Sequence, residues 1–141
     1  TLATGEASPV LSDRFAALRT CLDAAISIMR PGVKASAVQA PMQATLKAYG
    51  LTGSFPHGHG VGLEVRDYPI IVPDNGLRIR DDCIDVPSDL TLEADMVINL
   101  EAPLFMPGVG SLHIEQSFVI TSNGCRPLVS QDRGRIVTSD E

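Results

Sequence analysis

The sequence lacks any apolar run near the roughly 18 residues that a membrane-spanning helix needs. Its longest candidate, Tyr68-Pro-Ile-Ile-Val-Pro73, is short and broken by prolines. Positive charge is also scarce. Eleven basic residues against 17 acidic ones leave a net charge of −6, which argues against nucleic acid as a partner because phosphate binding needs a basic footprint. Cysteine is sparse: Cys21, Cys83 and Cys125 form no Cys-x-x-Cys pair. A disulfide framework and a thiolate zinc site are therefore poor fits, and the thiols suit a reducing, cytoplasmic setting as core or loop residues. No Gly-x-x-x-x-Gly-Lys phosphate loop and no Gly-x-Ser-x-Gly nucleophile elbow occurs. Gly60-Val-Gly62 matches only part of a dinucleotide fingerprint, and no helix follows it. There is no basic-then-apolar signal region, and no Met precedes Met29. An intact translation product begins with Met, so the expectation is a piece trimmed from a longer protein.

What is present suffices for one folded domain. The chain has 141 residues, 44% of them apolar, and its 12 Gly and 10 Pro fall short of low complexity. Residues 1–7 read as an entry loop. Ser8-Pro9 reads as a helix cap followed by proline at the first helical position. Phe15, Leu18, Leu22, Ala25, Ile26 and Met29 then recur at helical spacing until Pro31-Gly32. A second helix is expected from Ser36, as its cap, to Tyr49, with Gly50 in the left-handed position beyond its end. After Gly53 the helical period disappears. Residues 58–66 read as a glycine-rich entry into a strand, and 67–91 as a polar connection. Met96–Glu101 and Ser111–Thr121 read as strands, and Cys125–Val129 as a short antiparallel return. Residues 130–141 read as a loose polar tail. Two helices followed by antiparallel strands make an α+β fold, with one domain over residues 1–129.

All three histidines fall in the strand half. In His57-Gly-His-Gly-Val-Gly62, an extended chain puts His57 and His59 on one face. The alternating glycines permit close approach of another backbone or a ligand. A glycine-rich turn with two surface histidines fits the same spacing. In the next strand Glu101 shares a face with Val97 and Asn99. In the one after, Glu115 shares a face with His113, Ser117 and Val119. An ionised carboxylate on a buried strand is costly unless compensated, and a metal ion is the strongest compensation. His with carboxylates suits Zn, Mn, Fe or Co. A sheet face turned to water would accommodate the same residues, so spacing alone leaves the two readings even. Asp81, Asp82 and Asp85, with Arg78 and Arg80 beside them, read as a solvated loop with loose ion pairs.

The order of the pieces carries a resemblance. Phe55-Pro-His-Gly-His-Gly-Val-Gly-Leu-Glu-Val-Arg-Asp-Tyr-Pro69 resembles the signature G-H-G-(I/V)-G-L-E-x-H-E-x-P of the pita-bread metallopeptidases. That family includes methionine aminopeptidase, Xaa-Pro aminopeptidase, prolidase and the non-peptidase creatinase. Leu92-Glu-Ala-Asp-Met-Val-Ile-Asn-Leu-Glu-Ala-Pro103 resembles its block L-x-x-G-M-V-x-x-x-E-P. His113-Ile-Glu-Gln-Ser-Phe-Val-Ile-Thr-Ser-Asn-Gly124 resembles R-x-E-(D/N/H)-x-x-x-V-T-x-x-G, and Met29-Arg-Pro-Gly32 resembles the end of the family's long helix.

The resemblance implies the C-terminal part of a pita-bread fold and two divalent metal ions (Mn, Co, Zn or Fe). Five side chains hold them in the family: two Asp, one His and two Glu. Matched by position, the His is His59 and the glutamates are Glu101 and Glu115, both expected buried. The two Asp lie upstream of the segment matching Thr1–Gly5. The implied chemistry is hydrolysis by metal-activated water, with Glu101 carrying the proton to the leaving amine. The implied substrate is an Xaa-Pro peptide cleaved by a dipeptidase or aminopeptidase, in a homodimer. A creatinase-like hydrolase of a small C–N compound and a catalytically silent binding module are the alternatives. With three of five ligands, the chain alone is expected to be inactive. Several departures bear on substrate: Ala102 separates Glu101 from Pro103, the connection from Pro69 to Leu92 is longer than the common form, and two charged positions differ. Arg66 stands where peptidases carry a second His, and His113 where Xaa-Pro members carry an Arg. The expectation is an exchange, with His57, Arg66 and His113 facing the substrate.

Overall fold

The computed structural model describes residues 2–4, 6–130 and 136–139. In chain order its elements are β1 (Leu2–Thr4), α1 (Pro9–Ile26), α2 (Ala35–Ala48), β2 (His57–Gly60), β3 (Asp67–Ile71) and β4 (Arg78–Asp81). They continue with β5 (Ile84–Pro87), β6 (Val97–Met106), β7 (Gly110–Ile120), β8 (Cys125–Pro127) and β9 (Val137–Ser139). The α+β layout and the antiparallel return of Cys125–Pro127 agree with the sequence reading. Among the described residues no helix is long and apolar enough to cross a membrane.

Local chemistry explains the first helix. The Ser8 hydroxyl accepts the Leu11 N–H at 3.3 Å, and Pro9 loses nothing at a position where no N–H partner exists. The helix stops at Ile26, earlier than the expected Met29. There the Ser27 hydroxyl turns back onto the Ala24 carbonyl at 2.8 Å, and Ile28 N–H bonds the Ala25 carbonyl in a tighter turn. Met29 remains buried from that turn. Cys21 packs between the helices, donating to the Met42 carbonyl, and burial pushes its thiol up to about 12.

Ser36 does not cap α2. Lys34 holds the cap position without a side-chain bond. The helix end is served instead from 53 residues away: the Asp89 carboxylate accepts both the backbone N–H and the hydroxyl of Ser36 at 2.9 Å. Lys34 Nζ lies 3.4 Å from the same carboxylate. Burial alone would push Asp89 up, but the Ser36 donors and the Lys34 charge hold it below the ordinary carboxylate value. A depressed folded-state value means that this stability is present above the unfolded pKa of about 3.9 and is lost as pH falls through the folded one. Asp89→Ala is expected to cost about 1 kcal/mol at neutral pH and to flatten the acid-side loss. Urea midpoints from neutral pH down to about pH 3 measure both. An unchanged midpoint at neutral pH would refute the cap.

Five strands form an antiparallel sheet in the order β3-β2-β6-β7-β8. α1 packs on β6 and β7, and α2 on β2 and β3. Ile98, Leu100, Ala102 and Leu104 of β6 join Leu112, Ile114, Phe118 and Ile120 of β7 in one core with Leu18, Leu22, Val38, Met42 and Leu46 of the helices. Gln116 of β7 is buried on the same core side, across from Leu100, while Asn99 and Glu101 of β6 and His113, Glu115 and Ser117 of β7 alternate onto the opposite face.

Three segments differ from expectation. The 67–91 connection contains β3, which joins the main sheet, and a separate β4–β5 hairpin. The Asp85 carboxylate of that hairpin is held by Arg78 and Arg80, all three exposed, so it builds no buried acid cluster. β6 runs past Pro103 to Met106. β2 pairs only with Ile98–Glu101, so β6 is an edge beyond that point and tolerates a proline. The entry loop and the tail are not wholly loose: β1 pairs in parallel with β9. Thr1, Gly5, residues 131–135 and residues 140–141 lie outside the described residues.

Candidate metal centre

The face of the sheet turned from the helices carries Asn99, Glu101, His113, Glu115 and Ser117. The β6–β7 register sets Glu101 directly across from Glu115 and Asn99 across from Ser117. On the other flank, β2 sets His57 across from Glu101 and His59 across from Asn99. Close approach of β2 depends on its glycines. A Cβ on Gly58 would stand 2.3 Å from the Asn99 carbonyl oxygen, and one on Gly60 would stand 2.3 Å from that of Tyr68.

Glu101 sits at the centre, only 6% exposed. His57 Nε2 and His59 Nε2 approach its Oε1 at 3.5 and 3.3 Å, and His113 Nε2 approaches its Oε2 at 3.2 Å. The rings of His57 and His59 are fixed from behind. Nδ1 of His57 meets the Phe55 carbonyl at 3.0 Å, and Nδ1 of His59 meets that of Gly60 at 2.7 Å. A carbonyl can only accept, so each Nδ1 carries the hydrogen. In the neutral ring Nε2 is then a bare lone pair facing a carboxylate oxygen. A cation shared between Nε2 and the carboxylate would satisfy both, and at His59 the lone pair also lies within reach of the Asn99 amide.

Glu115 is exposed, unlike the buried acid expected, because this face of the sheet is open to water beside it. It is nonetheless ordered: Asn99 Nδ2 donates to Glu115 Oε1 at 2.6 Å, and Ser117 Oγ donates to Asn99 Oδ1 at 3.0 Å. Asn99 Nδ2 also lies 3.4 Å from His59 Nε2. Sequence reasoning placed Asn99 and Ser117 on this face without giving them a role. Their two-residue spacing from Glu101 and Glu115 was the available signal. Arg66 makes no hydrogen bond or ion pair with Glu101. It is exposed between β2 and β3, and its side chain has no ion pair or hydrogen bond with a described residue. The structure therefore gathers His57, His59, Glu101, His113 and Glu115.

The gathered donors fit a divalent cation. Bonds of about 2.0–2.2 Å place neighbouring ligands of one metal roughly 3.0–3.5 Å apart, the range of the three imidazole–carboxylate separations. The donor atoms of Glu101, His113 and Glu115 lie within 4.8 Å of one another. Imidazole with carboxylates is a donor set for first-row divalent metals.

The model of metallopeptidase family M24 matches residues 1–122. The chain is 30% identical over 129 residues to an Xaa-Pro dipeptidase of Lactobacillus delbrueckii subsp. lactis, covering 90% of this chain and 32% of that protein. The dipeptidase PepE of Mycobacterium ulcerans superposes with a TM-score of 0.81 at 30% identity, over 97% of this chain and 34% of that one. A dipeptidase of Pyrococcus horikoshii OT3 shares the fold, with a TM-score of 0.82 at 24% identity over 98% of this chain and 35% of that one. The chain thus spans about a third of the length of the curated relatives it matches. The first two blocks found in the sequence and all but the last two residues of the third fall within the matched region, and the chain belongs to metallopeptidase family M24.

Proposed function

We propose that this chain contributes the His59, Glu101 and Glu115 ligands to a two-metal hydrolase that cleaves peptides before proline, as an Xaa-Pro dipeptidase or aminopeptidase. The observation that carries the reading is the convergence of imidazole nitrogens on Glu101, with Glu115 directly across the strand. Bound there, divalent metal ions would supply an activated water at neutral pH. The chain's own residues do the rest. Glu101, withdrawn from solvent among imidazoles, moves the proton to the leaving amine. Asn99, steadied by Ser117, keeps the Glu115 carboxylate in one orientation. His57 flanks Glu101 on its Oε1 side, where a scissile carbonyl would meet it. Arg66 offers an exposed guanidinium to the substrate carboxylate. Manganese as the metal, a homodimer and a cytoplasmic location complete the proposal, the last supported by the absence of a disulfide among the three cysteines.

The resemblance calls for five ligands, and this chain supplies three of them. Hydrolysis of Xaa-Pro dipeptides and of creatine is therefore compared for the 141-residue chain and the full product of its gene, each with added Mn²⁺ or Co²⁺. Cleavage of Xaa-Pro dipeptides by the full product, with at most about a hundredth of that rate from the chain alone, is expected. Preference for creatine, or equal rates from both proteins, would overturn the proposal.

A further inference from the structure

We infer that the 141-residue chain binds one divalent transition-metal ion by itself through Glu101, His113 and Glu115, with His113 as a direct ligand. The inference rests on the metallohydrolase reading but assigns a donor outside it, since the resemblance draws on His59 and not on His113.

Geometry separates the two histidines. Glu101 turns Oε1 to His57 and His59 and Oε2 to His113, so its two oxygens serve different sides. On the Oε2 side stand His113 and Glu115, two residues apart on one strand and facing the same way. Their donor atoms and that of Glu101 form a set within 4.8 Å. On the Oε1 side the set is interrupted. The Asn99 amide nitrogen lies against both His59 Nε2 and Glu115 Oε1, at 3.4 and 2.6 Å, and stands between them.

The Asn99 amide has a fixed sense. Ser117 donates to Asn99 Oδ1, so the NH₂ end faces Glu115. That bond occupies Glu115 Oε1 and leaves Oε2 for a cation. Two carboxylates and a neutral imidazole carry two negative charges. Like charges directly across a strand pair repel, and a divalent cation between them removes the repulsion. The His113 side chain is 48% exposed, so an ion can enter from solvent and the ring can swing to close the set. One nitrogen and two oxygens also leave coordination positions open.

The chain, stripped with chelator, is titrated with Co²⁺ and with Zn²⁺ by calorimetry, and the visible absorption of the Co²⁺ form is recorded. One ion per chain is expected. His113→Ala should weaken binding by about 100-fold or more and shift the Co²⁺ bands at saturation, because a nitrogen donor is lost. His59→Ala should weaken it by less than about tenfold. Thermal melting in chelator checks that His113→Ala stays folded, and His113→Gln is the second variant. If His113→Ala binds within about threefold of wild type while Glu101→Ala does not bind, the His113 assignment is overturned and the metal reading survives. If the unmodified chain binds neither ion, this inference is overturned, while the two-metal reading, which draws on two further Asp ligands, is decided by the Xaa-Pro assay.

Discussion

Replacing Glu101 with alanine is expected to abolish divalent-metal binding and, with it, every stabilisation that added metal confers. A ligand that binds only the folded state at about 100 times its dissociation constant contributes roughly 2.7 kcal/mol. For a chain of this size that is a rise in melting temperature on the order of 10 °C. Glu101→Ala should show none of it, since the carboxylate is the group on which three imidazoles converge at 3.2–3.5 Å. In the absence of metal the same variant should melt no lower than wild type. It removes a buried acid placed directly across from Glu115, and like charges opposite one another in a strand pair oppose folding. The pairing of outcomes separates a ligand from a structural residue. A residue that merely packs would lower the melting temperature with or without metal. A metal-induced rise of wild-type size in Glu101→Ala would sink the assignment of this face as a metal centre.

The site was legible wherever it obeyed a local period. Asn99 and Glu101, and His113, Glu115 and Ser117, alternate with core residues along β6 and β7, so two-residue spacing placed them on one face. What spacing could not give is which strand lies beside which. The β6–β7 register puts Glu101 opposite Glu115, and only the block resemblance joined them beforehand. Non-local partners were illegible for the same reason. Asp89 serves the start of α2 from 53 residues away, and the local rule chose Ser36 because it was nearby. The β4–β5 hairpin was missed because both strands are largely exposed, leaving no apolar face to alternate. β1 and β9 are three-residue strands near opposite ends of the chain, too short for any period to register. Arg66 shows the limit of positional matching: it occupies a family position, yet its exposed side chain makes no hydrogen bond or ion pair with a described residue.

Gly58→Ala is expected to be among the most destabilising single-methyl additions this chain can receive. Its Cβ would stand 2.3 Å from the Asn99 carbonyl oxygen, 3.1 Å from a Leu100 methyl and 3.2 Å from the Ile71 Cβ. A methyl forced into a packed core costs about 1–3 kcal/mol and occasionally more. Here the nearest obstacle is backbone of the adjoining strand, which no side-chain rotation can relieve, so about 3 kcal/mol or above is expected, or roughly 10 °C in melting temperature. Gly53→Ala is the control, because a Cβ there meets nothing within 4 Å. The damage should be selective for one flank of the site. β2 must move off β6, taking His57 and His59 from Glu101, whereas Glu101, His113 and Glu115 stay on the intact β6–β7 pair. Below its melting temperature Gly58→Ala should therefore keep Co²⁺ affinity within about tenfold of wild type. If it melts with Gly53→Ala, the close packing of β2 is wrong. If it is less stable and also loses Co²⁺, the β2 histidines are indispensable to the metal, and His113 does not hold it with the two glutamates alone.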